Sequence, residues 1–241
     1  MRLARKMHHS FTTTVRRYAT RTGETSRFVS ITLAAVALFI SGCDQQSAQP
    51  DTAAMEAASG AYKTCAACHG ATGLGNRAMQ APSLVNLDPW YVSRQLENFR
   101  SGVRGKHPKD AQGMQMASQA SLLRDDQAVE AVAREIDSFP NKAPDATFEA
   151  NPDTGRDRYN MTCGACHGPE AVGNQALNAP SLRGIDDWYL VRQYENFREG
   201  IRGTHADDTY GQQMQRMGQV LESEQDMKDV AAWLQSLGIN D

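Results

Sequence analysis

Apolar residues recur at helical spacing through most of the chain after about residue 57, and no stretch alternates apolar and polar positions long enough to make a convincing strand. Asp88 is placed to cap a helix, Pro89 to occupy its first position and Gly102 to end it, with Tyr91, Gln95, Leu96 and Phe99 along one face. A similar segment runs from Asp187 through Arg198 to Gly200. Two further helices are predicted at Asp125 to Phe139 and Glu224 to Leu237, the latter with Ser223 as cap and Gly238 as terminator. Shorter helices should lead into the cysteine pairs described below, the first from about Ala53. The apolar run Val29 to Ile40 stands apart, shorter than the roughly 20 residues a membrane span needs.

These elements occur twice. Thr64-Cys65-Ala66-Ala67-Cys68-His69-Gly70 returns as Thr162-Cys163-Gly164-Ala165-Cys166-His167-Gly168, an offset of 98. Residues 61–139 and 159–237 are identical at 35 of 79 positions without a gap. A repeat this long is a domain duplication, not a solenoid of short units. The turn-rich segment Pro140 to Asp145 opens the linker, so the domains are expected at 57–139 and 153–241, with residues 140–152 between them.

Charge divides the chain differently. Of 25 Lys and Arg, seven lie in residues 1–42 with only one of the 28 acids, so a net charge of −3 combines a leader of +6 with a remainder of −9. That balance excludes a nucleic-acid binder, which needs a basic excess across a domain. A basic stretch before an apolar run is an export signal. Ile40-Ser41-Gly42-Cys43 directly after it resembles a bacterial lipobox, which implies cleavage after residue 42 and a lipid on Cys43. Residues 43–56 are polar and Ala-rich and read as a tether. Asp44 adds the implication of retention at the inner membrane, on its periplasmic side.

The other four of the five cysteines form two Cys-x-x-Cys-His motifs. This is the attachment signature for c-type haem: Cys65 and Cys68, or Cys163 and Cys166, add to the porphyrin vinyl groups and His69 or His167 ligates the iron. Zinc would favour closer pairs, a thioredoxin-like motif needs a βαβ context, and disulfides are the remaining alternative. Two haems c are the expected cofactors.

A second axial ligand used in both domains should sit at matched positions. Met79 faces Leu177, Met114 faces Gln212, Met161 faces Lys63 and Met217 faces Gln119; Met116 and Met214 match each other. A thioether favours ferrous iron and raises the potential. His107 and His205, within Arg-Gly-x-His, also match and would give bis-imidazole haems. Met116 and Met214 precede the final helices, where a loop could swing back over the iron. The carbonyl of Pro82 or Pro180, in the repeated Ala-Pro-Ser-Leu, is a candidate acceptor for the proximal imidazole N–H, or simply part of a turn. Trp90, Tyr91, Trp188 and Tyr189 are candidates to meet the haem edge or propionates, core packing being the alternative.

With Cys-x-x-Cys-His-Gly, Ala-Pro-x-Leu, Tyr-x-x-x-Gln-x-x-x-Phe-Arg-x-Gly-x-Arg, and Met seven residues before Leu123 and Leu221, the chain resembles class I cytochromes c of the dihaem c-four type. The resemblance implies an all-α fold of two tandem domains, each wrapped around one haem, with axial pairs His69/Met116 and His167/Met214. It departs from that pattern in the Gly-x-His, Asp-rich loop before each Met. Together with the lipobox at Cys43, it implies a lipid-anchored electron carrier that binds no small-molecule substrate. Its expected partners are redox proteins such as a quinol-oxidising complex and a terminal oxidase or reductase. Rival readings are the electron-accepting subunit of a larger oxidoreductase, a dihaem peroxidase and a haem sensor.

Overall fold

A computed structural model describes residues 60–239; the leader, Cys43, the tether and Ala53 lie outside the described residues. Nine α-helices and no sheet are found among the described residues. In the first domain they are α1 (Lys63–His69), α2 (Pro89–Ser101), α3 (Ala111–Ala120) and α4 (Asp126–Asp137). In the second they are α5 (Pro152–Thr162), α6 (Gly164–His167), α7 (Asp187–Arg198), α8 (Thr209–Met217) and α9 (Glu224–Ser236). None is long and apolar enough to cross a membrane.

Local chemistry sets the helix ends. Asp125 accepts from the Ala128 amide at 2.9 Å to start α4, and Ser223 with Asp226 forms a reciprocal capping box on α9. Gly102 ends α2 in the left-handed conformation, as expected. Asp88 differs from expectation: it makes no side-chain cap on α2. Its carboxylate accepts instead from the Ser181 amide of the second domain, at 2.9 Å. Met116 and Met214 also differ. Each lies inside a helix, α3 or α8, instead of on a loop, because Asp110 and Asp208 cap the amides of Gly113 and Gly211 and start those helices upstream.

Each domain has its own core. In the first, Tyr62, Val92, Leu96, Val129, Val132 and Ile136 are buried together where α2 meets α4. In the second, α9 lies against both α5 and α7, burying Tyr159, Val191, Val230 and Leu234. The α5/α9 crossing is close enough that a Cβ on Gly155 would stand 1.9 Å from the Asp229 carbonyl oxygen. The buried tyrosines occupy equivalent places: Tyr62 donates to Gly70 O at 2.9 Å and Tyr159 to Gly168 O at 2.7 Å. They are 97 residues apart, one fewer than the repeat offset, so the extra residue falls between Tyr159 and Thr162, in the last turn of α5.

The domains meet through contacts that repeat in reverse. Ser83 N donates to Asp186 Oδ2 at 2.7 Å, mirroring Ser181 with Asp88. Arg94 donates to the Asn178 side-chain and backbone oxygens at 3.0 and 3.1 Å, and Arg192 does the same to Gln80. This is the isologous logic of a twofold dimer, kept within one chain. The linker is fastened alongside, since the buried Asp187 carboxylate accepts from the Thr147 amide and hydroxyl and the Phe148 amide.

Candidate haem site

The Cys-x-x-Cys-His segments end at α1 and α6, and both imidazoles are buried. After each, the chain doubles back tightly. A Cβ on Gly75 would lie 2.6 Å from Ser83 N, and one on Gly173 2.5 Å from Ser181 N, at φ near +80° in both. Ser83 Oγ bonds Gly73 O, and Ser181 Oγ bonds Ala171 O. The return strand thereby brings the Pro82 carbonyl 2.8 Å from His69 Nδ1 and the Pro180 carbonyl 2.8 Å from His167 Nδ1. A carbonyl only accepts, so Nδ1 carries the proton and Nε2 keeps its lone pair for a metal. Burial lowers both histidine pKa values, favouring the neutral, ligating form.

A cavity of about 600 Å³ is lined by Cys65, Cys68, His69, Pro82 and Met116 of the first domain and by Cys163, Cys166, His167, Pro180 and Met214 of the second. Its lining is mainly apolar, including Leu96, Phe99, Val132, Leu190, Phe197 and Val230. None of the four cysteines is paired in a disulfide, which leaves both sulfurs of each motif for a porphyrin's two vinyl groups. Before attachment, burial pushes the Cys65 and Cys163 thiols up.

Tyr91 and Tyr189 line the cavity; Trp90 and Trp188 do not. The tryptophans stack under arginines instead, with Arg94 4.9 Å from the Trp90 ring and Arg192 4.8 Å from that of Trp188. His107 and His205 are also absent from the cavity wall. Each accepts through Nδ1 from an amide two residues on, Lys109 or Asp207, at 3.2 Å. Together with Asp110 and Asp208 they shape the turn into α3 and α8, a structural use for the Gly-x-His, Asp-rich loop.

The matched Arg104 and Arg202 read from sequence as partners for propionates or as a solvated face, while Gln95 and Gln193 had no place in the site. Arg104 donates to Gln95 of its own domain and to Tyr189 and Gln193 of the other, at 2.8–3.1 Å. Arg202 donates to Gln193 and across to Tyr91 and Gln95 over the same range. Burial opposes charge on Arg202, but Tyr91 and Tyr189 beside it raise its pKa; for Tyr91, Arg202 and Arg104 outweigh burial and lower it. The Nε atoms of both arginines are buried without a hydrogen-bond partner. Unpaired guanidinium donors at an apolar cavity fit a flat apolar ring carrying carboxylates, which is the chemistry of haem and its propionates. Their matched spacing was visible in the sequence; the crossing between domains was not.

The cytochrome c family model matches residues 55–134 and again 152–238. The chain is 31% identical over 190 residues to the thiosulfate dehydrogenase electron acceptor of Stutzerimonas stutzeri strain A1501, covering 74% of this chain and 81% of that one. It is 30% identical over 195 residues to cytochrome c4 of Pseudomonas aeruginosa, covering 77% and 90%. The fold superposes on reduced recombinant cytochrome c4 from Pseudomonas stutzeri with a TM-score of 0.58, at 24% identity over 80% of this chain and all of that one. The duplicated motif, the paired imidazole sites and these likenesses agree: the chain belongs to the cytochrome c family, as a cytochrome c4-like electron-transfer protein of two domains, each with one covalently bound haem c.

Proposed function

We propose that this protein is a lipid-anchored dihaem carrier at the periplasmic face of the bacterial inner membrane. It passes single electrons between respiratory partners such as a quinol-oxidising complex and a terminal oxidase or reductase. The observation that carries this reading is the matched pair of sites, in which a carbonyl-held imidazole and a methionine line the same cavity in each domain. His69 with Met116 and His167 with Met214 are the axial pairs, and Cys65, Cys68, Cys163 and Cys166 the attachment points. Bound haem supplies reversible one-electron chemistry at iron. The chain's own part is to orient each imidazole, exclude water with apolar walls and fill both axial positions, leaving no coordination site for a substrate. The domains span 57–139 and 153–241, joined by 140–152, and Cys43 carries the lipid.

A filled sixth position separates this carrier from a dihaem peroxidase. The reduced protein is expected not to bind carbon monoxide; binding at near one haem per chain would overturn the reading. Cys43→Ser is expected to release the protein from washed membranes into the periplasmic fraction, and retention would remove the anchor. The likeness to a thiosulfate dehydrogenase electron acceptor supports a second reading, an electron-accepting subunit of a larger oxidoreductase. Stable co-purification with a catalytic chain would favour it over a free shuttle.

A further inference from the structure

The peptide group that holds each imidazole is itself held, at its other end, by the opposite domain. The Pro82 carbonyl accepts from His69 Nδ1 at 2.8 Å, and the nitrogen of the same peptide group, Ser83 N, donates to Asp186 Oδ2 at 2.7 Å. The second copy repeats this, with Pro180 O on His167 Nδ1 at 2.8 Å and Ser181 N on Asp88 Oδ2 at 2.9 Å. Ser83 and Ser181 are buried, and their hydroxyls bond Gly73 O and Ala171 O. A Cβ on Gly75 or Gly173 would lie 2.7 Å from the carbonyl carbon of Pro82 or Pro180. Each peptide group is therefore clamped on its own side, with its N–H fixed toward the neighbouring domain.

Asp88 and Asp186 stand at the N-cap positions of α2 and α7, yet neither carboxylate caps its own helix. Burial raises the Asp186 pKa, and the Ser83 amide opposes that rise because its bond favours the charged carboxylate. The two ends of a peptide group are coupled by resonance. An anion on the N–H shifts electron density to the carbonyl oxygen, which becomes a stronger acceptor, as in other polarised hydrogen-bond chains. A stronger acceptor draws the Nδ1 proton and gives the imidazole part of the character of an imidazolate. Such a ligand donates more to iron, favours the ferric state and lowers the potential.

We propose that Asp186 and Asp88 are positioning residues for the iron-ligating histidines of the opposite domains, each acting through one peptide group, so that each domain tunes the potential of the other's haem. The proposal rests on His69 and His167 being iron ligands. Its signature is crossed: a charge removed from one domain is read at the iron of the other. A carboxylate that only tied the domains together would leave no such signature, since a neutral amide oxygen would tie them as well. The test uses the haem-loaded, full-length protein with Asp186→Asn and Asp88→Asn, in which the side-chain oxygen can still accept from the serine amide but the charge is gone. Asp186→Ala removes charge and contact together.

A redox titration followed through the assigned haem methyl resonances of each domain reads the two potentials separately. Asp186→Asn is expected to shift the first domain's haem roughly tenfold toward the ferrous form at a fixed potential, about 59 mV for one electron, with a much smaller change in the second. Asp88→Asn should do the reverse. In the reduced protein the His69 Nδ1 proton should move upfield in Asp186→Asn as its hydrogen bond weakens, while that of His167 stays in place. Equal shifts of both haems, a shift confined to the mutated domain, or an unmoved His69 proton would overturn the proposal. A change seen in Asp186→Ala but not in Asp186→Asn would reduce the aspartate to a tie between domains and overturn it too. A wild-type protein in which neither imidazole shows the ring-current shift of a haem ligand would instead overturn the ligand assignment beneath it.

Discussion

A methyl group on Gly105 would stand 2.2 Å from the Gly113 carbonyl oxygen and 3.0 Å from the Ala117 side chain, at a backbone φ of +79°. The glycine following Arg104 thus lets the loop lie directly on α3, and Gly203 does the same on Gly211. Left-handed strain and steric overlap act together, so Gly105→Ala should destabilise the protein by about 3 kcal/mol. Gly238→Ala, with nothing within 4 Å, should cost only about 1 kcal/mol. Denaturant titration of both variants checks the contrast, and equal losses would contradict it. At this scale the sequence was most informative where chemistry is contiguous. Cys65, Cys68 and His69 need no fold to be recognised together, and Ala-Pro-Ser-Leu pointed to a carbonyl that stands 2.8 Å from His69 Nδ1. Trp90 and Trp188 were less legible, because a ring beside a cavity and a ring under an arginine have the same sequence signature.

Helices were predictable where a cap and a stop bracket them, as in α4 and α9, whose cap residues are Asp125 and Ser223. Asp88 shows the limit. A local pattern names it a cap, and a partner 93 residues away takes its carboxylate. The methionine helices α3 and α8 were missed for a similar reason: their apolar positions are few, and their starts are set by Asp110 and Asp208 closing onto glycines three residues later. The α5/α9 crossing also depends on one residue. Gly155→Ala would drive a Cβ into the Asp229 carbonyl and force the helices apart. A loss of about 3 kcal/mol confined to the second domain is expected. Hydrogen exchange resolved by domain should show α5, α7 and α9 opening sooner while α2 and α4 keep their protection; uniform loss of protection would contradict it.

For the molecule as a whole, duplication was plain in the sequence and its use was not. Nothing in a one-dimensional repeat says that Arg104 reaches Tyr189 and Gln193 while Arg202 reaches Tyr91 and Gln95. Those crossed bonds make each domain part of the other's cavity wall, so the two imidazole sites share one cavity. The acidic excess of the second domain was equally hidden in a total of −3, since the basic leader offsets it. In the proposed carrier both sites hold iron between a histidine and a methionine and exchange electrons without binding substrate. Its most direct test is the near-infrared absorption of the oxidised protein, where a thioether on ferric haem gives a weak charge-transfer band. The band is expected at an intensity of two such haems per chain, halved in Met116→His. A wild-type spectrum without the band, alongside normal reduced c-type bands, would contradict it and move the sixth ligand away from Met116 and Met214.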